Sequence, residues 1–143
     1  MKWERRDFWS AIASLPFCML TTSTGDSLRA RPMAPRVDGH RHEIYFLTRL
    51  SSHKSQEITD HAQVNLAFVA PGGEVFISLS GRAALIQDPQ MIDALWDAEA
   101  DRWFPDGRAG GDVALVRVQP VSAERWDRAQ PHNTYSWISF TAI

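Results

Sequence analysis

The chain is short of several things that would otherwise decide its chemistry. It has one cysteine, Cys18, in 143 residues, so no internal disulfide is available, and the lone thiol fits a reducing cytoplasm. No apolar run approaches the length needed to cross a bilayer. The charged start, Met1 to Asp7, is not followed by a signal-like apolar core. A net charge of −2 gives no general attraction to nucleic acid or acidic membranes. No GxSxG turn, Walker loop or Rossmann glycine pattern occurs, so nucleophilic hydrolysis and those nucleotide folds lack their usual signatures. The five histidines (40, 42, 53, 61 and 132) have no cysteine or carboxylate partners at metal-ligand spacing, which argues against a structural zinc site. Lysine is also scarce. Only Lys2 and Lys54 occur in a chain that otherwise uses arginine, so Lys54 stands out.

What is present reads as a small domain of 143 residues with one core. Phe8, Trp9, Ile12 and Leu15 recur at helical spacing within residues 4–15, and Pro16 ends the pattern, giving an N-terminal helix inside residues 1–16. Six extended runs follow: Phe17–Thr24, Ser27–Val37, Glu43–Thr48, Gln63–Ala70, Glu74–Gln87 and Val113–Val118. Gly81 marks a bulge or bend in the fifth, and Pro120 limits the sixth. A helix begins near Ser51 or Ser52, and Asp88-Pro89 starts another as N-cap and first-turn proline. Trp103-Phe104-Pro105-Asp106-Gly107 reads as a loop. The tail 128–143 carries Tyr135, Trp137, Ile138 and Phe140, too apolar to hang free, so it docks on this subunit or a partner. Six closely spaced strands with two short helices predict a mainly β, antiparallel barrel.

The segment Phe46 to Lys54 is the densest in chemistry. An apolar strand ends at Thr48, two serines follow, and Lys54 opens a helix. Hydroxyls, backbone N–H groups and a cation at a helix N-terminus can hold an anion. The same residues are also what a plain capped helix start requires. Arg31, in Arg29-Ala30-Arg31-Pro32-Met33, shares one strand face with Arg29 and Met33 and has the fork that grips phosphate. It fits equally a solvated edge strand that Pro32 protects from further pairing. Trp96, Trp103, Phe104 and Trp126 read first as packing residues.

Taken in order, Arg31-Pro32-Met33, Phe46-Leu47-Thr48, Ser52-His53-Lys54 and Val64-Asn65-Leu66-Ala67-Phe68 resemble a known set of motifs. Ser78-Leu79-Ser80-Gly81-Arg82-Ala83, Leu95-Trp96, Trp103-Phe104-Pro105-Asp106-Gly107 and Glu124-Arg125-Trp126-Asp127 continue it. The ordered set, from about Phe17 to Asp127, resembles the general stress protein branch of the pyridoxamine phosphate oxidase-like proteins.

That resemblance implies a six-stranded antiparallel split β-barrel of Greek-key type with short flanking helices. It implies a homodimer with one FMN in each of two clefts at the subunit interface. Arg31 and Lys54 would hold the flavin phosphate, assisted by Ser52 and His53. Pro32, Met33, Leu47 and Thr48 would face the ring or ribityl chain, and Trp103 and Trp126 would wall the cleft or the dimer contact. An FMN-dependent oxidoreductase using NAD(P)H is the implied activity, its substrate unnamed. The alternatives are a deazaflavin-dependent reductase and a binding or sensing module without turnover. Two departures set the chain apart from the oxidase proper. Trp126 is followed by Asp127-Arg128-Ala129-Gln130 instead of an Arg-x-His segment, and Phe76 stands where that enzyme has a glutamine, so vitamin oxidation is not implied.

Overall fold

The computed structural model of the protein describes residues 3–131 and 135–140; His132 and the rest of 132–134, the end of the tail at 141–143 and the first two residues lie outside them. After helix α1 (Arg5–Ala13) come β1 (Cys18–Ser23), β2 (Leu28–Met33), β3 (Arg36–Asp38) and β4 (Glu43–Arg49). Helix α2 (His53–Asp60) leads to β5 (Gln63–Val69) and β6 (Val75–Ile86). Helices α3 (Pro89–Leu95) and α4 (Ala98–Trp103) precede β7 (Val113–Asp127) and β8 (Tyr135–Ser139). All the described strands join one antiparallel sheet in the order β2-β1-β5-β6-β7-β4-β3, with β8 also paired to β7. The arrangement is consistent with a split barrel.

The sheet has eight described strands where the sequence predicts six, and two local causes account for the difference. The run Ser27–Val37 is not one strand. Ala34-Pro35 interrupts it, and β2 and β3 end up at opposite edges of the sheet. The docked tail supplies the other strand: β8 pairs with residues 122–126 of its own chain's β7, Trp126 opposite Tyr135.

Pro120 does not stop β7 either. The β6–β7 register shifts there, with Gly81 opposite Pro120 and Ser80 opposite Ser122, so Val121 is the extra residue of a bulge. At this point β7 also changes its second neighbour from β4 to β8. Proline has no N–H to give, and a bulge between two pairings is a place where none is required. Gly81 is needed because a Cβ there would lie 2.7 Å from the Gln119 carbonyl oxygen. The expected loop at Trp103 is partly helical, since Trp103 ends α4, whose N-cap Asp97 accepts a hydrogen bond from the Ala100 N–H at 2.9 Å.

Strand β4 is apolar on both faces because it separates two hydrophobic clusters. Ile44 and Phe46 enter the main core with Leu20, Leu66, Phe68, Leu79 and Val116. Tyr45 and Leu47 pack on the other side with Ile92, Ala100, Phe104 and Leu115, which seats α3 and α4 against the sheet. Helix α1 closes the main core with Phe8, whose ring stands edge-on to Trp3, Trp9 and Phe140 at centroid distances of 5.4, 5.0 and 4.9 Å. None of the described helices is long and apolar enough to cross a membrane.

Candidate functional site

A groove of about 340 Å³ runs between β2, the end of β4, the start of α2 and α4. Its floor and walls include Met33, Leu47, Phe104 and Trp103. Four cations line it as well, Arg31, Arg36, Arg49 and Lys54. A larger open depression of about 520 Å³ lies elsewhere on the sheet, among Thr21, Asn65, Ser80 and Arg82. Asn65 there already donates to the Ser78 hydroxyl at 3.0 Å, and no pair of like charges gathers. The smaller groove is therefore the candidate site.

The turn leading into α2 is tightly tied down. The Ser51 N–H and hydroxyl both donate to the Asp112 carboxylate, at 2.9 and 2.6 Å, and the Leu50 N–H donates to the Asp112 carbonyl at 3.2 Å. The Ser51 hydroxyl and N–H hold the Asp112 carboxyl below the usual carboxylate range. Ser52 caps α2 by accepting from the Ser55 N–H at 3.3 Å, and Ser55 donates its hydroxyl to the Arg49 carbonyl at 2.8 Å. Lys54, in the first turn, bends back so that Nζ donates to the Thr48 hydroxyl and, at 3.3 Å, to the Ser52 hydroxyl. Burial first, then the nearby positive charge of Arg31, lower the Lys54 pKa, against the opposing pull of Glu57.

Arg31 is held from behind. Its Nη1 donates to the Leu20 carbonyl at 3.2 Å and the Thr22 hydroxyl at 2.7 Å, and its Nη2 meets Glu57 Oε2 at 3.3 Å. The groove thus brings together Arg31, Pro32, Met33, Leu47, Thr48, Ser52, Lys54 and Trp103 of the residues singled out from the sequence. It leaves out two. His53 is exposed beside Arg29, Gln56, Asp60 and His61, away from the groove, because neighbouring positions on a helix point about 100° apart. Trp126 lies on β7 with its ring 5.7 Å from that of Tyr135, also away from the groove within this chain. The sequence reading missed Phe17, Arg36, Arg49 and Phe104 as lining. Arg36 is tied to Asp97 at 2.7 Å, and the Arg49 guanidinium covers the Phe104 ring at 5.1 Å, so each already has a structural partner.

The family profile described as pyridoxamine 5'-phosphate oxidase like matches residues 4–142, nearly the whole chain. The chain belongs to that family. Relatives of this pyridoxamine 5'-phosphate oxidase-like chain include general stress protein 26 of Bacillus subtilis (strain 168), 26% identical over 80 residues. That match takes in 54% of this chain and 56% of the relative, so it spans about half the length of the curated protein. The structure of a general stress FMN/FAD binding protein from Xanthomonas citri superposes with a TM-score of 0.77 at 24% identity, covering 97% of this chain and 96% of that one. An F420 reductase superposes with a TM-score of 0.64 at 15% identity, over 80% of this chain and 94% of that one. At these identities the two solved structures speak for the fold. The match to general stress protein 26 and its structural neighbours supports the general stress protein branch of the family.

Proposed function

We propose that the protein is an FMN-binding flavoprotein whose phosphate site is the Arg31–Lys54 pair, and that it works as a flavin-dependent oxidoreductase. The observation that carries this is a pair of converging cations at a capped helix start, opening on an otherwise largely apolar groove. Lys54 bears a depressed pKa next to Arg31, which is the environment an incoming dianion relieves. A phosphomonoester brings nearly two negative charges and three acceptor oxygens to meet it. Trp103, 67% exposed, and Phe17, 55% exposed, flank the groove with aromatic surface that a flat ring would cover. The residues present therefore fit FMN.

In that assignment Arg31 and Lys54 bind and orient the phosphate, Ser52 and Thr48 hold the Lys54 ammonium in place, and Met33, Leu47 and Trp103 exclude water from the ring. Bound flavin supplies hydride and electron transfer. Among the described residues the groove lining of one chain holds no aspartate, glutamate, histidine or cysteine, so what these side chains supply is binding and exclusion of water. This favours direct hydride exchange with a nicotinamide donor over a reaction that needs a protein proton relay.

We further propose a homodimer with the flavin at the subunit interface. The deazaflavin reading is supported by the shared fold with an F420 reductase, and competition between FMN and a deazaflavin separates the two. FMN titrated into the flavin-free protein should show saturable fluorescence change at micromolar protein. Lys54→Ala should weaken it roughly ten- to a hundredfold, the loss of one charge-assisted contact of about 1.5–3 kcal/mol. Absence of saturable binding by the wild type would overturn the assignment. Bleaching of the bound flavin by NADPH would mark turnover, and binding without bleaching would favour a storage or sensing module.

A further inference from the structure

The FMN reading uses Arg31 and Lys54 but leaves a near-buried carboxylate one turn along α2 without a role. Glu57 is 9% exposed and makes three contacts. Its Oε1 meets Arg29 Nε at 3.0 Å, and its Oε2 accepts the Thr22 hydroxyl at 2.5 Å and Arg31 Nη2 at 3.3 Å. Thr22 completes a relay. It has one proton, which goes to Glu57, so its lone pair is left to accept from Arg31 Nη1 at 2.7 Å. An arginine can only donate, so the direction of each bond is fixed.

These contacts, with the Leu20 carbonyl at 3.2 Å, occupy the Nη1–Nη2 side of the Arg31 guanidinium. Among the described residues no hydrogen bond engages Arg31 Nε. The Nε–Nη2 edge, where Nη2 keeps a second N–H, is the edge left to grip two phosphate oxygens at once. We propose that Glu57, resting on the FMN reading above, is the positioning residue that turns this edge of Arg31 toward the groove, and that it thereby sets the preference for phosphorylated over unphosphorylated flavin. Its negative charge also eases the approach of Arg31 and Lys54 to one another. Burial would push the Glu57 carboxyl up, but the Thr22 hydroxyl and the Arg31 and Arg29 guanidiniums outweigh it and keep it ionised at neutral pH.

The test compares FMN and riboflavin, which differ only in the phosphate. Glu57→Ala should weaken FMN by ~tenfold or more while riboflavin affinity stays within about twofold, because only the phosphate contact is loosened. Glu57→Gln keeps an acceptor for Thr22 and Arg31 and should retain part of the preference. Thr22→Val breaks the relay while leaving the Glu57 carboxylate in place, and should lower the same ratio; with Glu57→Gln it carries the test if Glu57→Ala does not fold. In the flavin-free wild type the ¹⁵N signal of Arg31 Nε–H should be distinct from those of exposed arginines, and Glu57→Ala should merge it with them. Wild-type protein that fails to bind FMN would sink the flavin reading itself. Wild-type binding with an unchanged FMN-to-riboflavin ratio in the variants, or an equal loss for both ligands, would sink the assignment of Glu57 alone.

Discussion

Lys54 carries a charge that burial and Arg31 both disfavour, and that makes it testable without a ligand. Its pKa is depressed in the folded chain by burial and then by Arg31, so the folded state holds this proton less firmly than the unfolded state does. The sign follows. The cost to stability is fully present below the folded pKa and disappears as pH rises toward the ordinary lysine value. Lys54→Met should therefore melt at a higher temperature than wild type at neutral pH when both are flavin-free, with the difference shrinking in alkaline buffer. The same variant should lose FMN affinity by roughly ten- to a hundredfold, since the contact removed is charge-assisted. Wild-type FMN affinity should itself decline with alkaline pH earlier than an unperturbed lysine would dictate, as fluorescence titrations across buffers would show. A variant less stable than wild type without ligand would contradict the charge argument. The visibility of these residues in the sequence follows from the same physics. Thr48 closes an apolar strand and Lys54 opens a helix, which local pattern exposes, whereas Arg31 lies on an exposed edge strand and stands out only beside the other motifs. Glu57 is three positions after Lys54 on α2 and reads as half of an ordinary surface pair. Its partners Thr22 and Arg31 lie 35 and 26 residues away and arrive only when β1 and β2 meet α2.

At the scale of elements, the starts of α2 and α3 and most strand ends are legible in the sequence, whereas the start of α4 and the behaviour of the strands around Pro35 and Pro120 are not. Ser52 and Asp88 cap α2 and α3 as their side-chain chemistry requires, with Asp88 accepting from the Gln90 and Met91 N–H groups at 3.0 and 3.3 Å. A cap is a local device, so four or five residues contain the whole signal. Proline in a strand is not local. Pro35 separates two strands because the chain must leave one edge of the sheet for the other, while Pro120 is accommodated because β7 changes partner there. The deciding neighbours lie far along the chain, and nothing in the residues beside either proline distinguishes the cases. Gly81 shows the same dependence in measurable form. Its backbone is not left-handed, so alanine meets no conformational penalty of that kind, but the new Cβ would sit 2.7 Å from the Gln119 carbonyl oxygen and 2.9 Å from Val118 Cγ1. A carbonyl fixed between paired strands cannot swing aside as a flexible side chain can. Gly81→Ala should cost about 1–3 kcal/mol, the usual range for overpacking, seen as a lower urea midpoint with an unchanged slope. A midpoint equal to wild type would mean that the β6–β7 bulge yields.

At the scale of the whole molecule, the outer face of the sheet raises the question of what covers it. Val69, Phe76, Trp126 and Tyr135 stand opposite one another in register across β5, β6, β7 and β8. Val69 is 56% exposed, and Trp126 and Tyr135 are each 38% exposed. Trp137, 44% exposed, adds to them on β8, and Met19, 41% exposed, lies on the same face across β1 and β5. Isolated exposed apolar residues are normal, but a row running across four strands is the kind of patch that marks an interface. The proposed homodimer gives this face a partner, and it also gives Trp126 a way to serve a site that it does not reach within its own chain. Sedimentation of the wild type at micromolar concentration should then show a species of twice the 16.2 kDa chain mass. Trp126→Glu would bury a charge at the contact and should shift the protein toward the monomer. If the flavin lies between subunits, the same variant should lose FMN affinity, and raising the protein concentration should restore both dimer and binding together. Lys54→Ala provides the control, because it should lose FMN while remaining a dimer. A wild type that sediments as a monomer would remove the interfacial site. A Trp126→Glu protein that stays dimeric would place the contact on another face, and one that becomes monomeric with FMN affinity intact would confine the flavin to a single chain's groove.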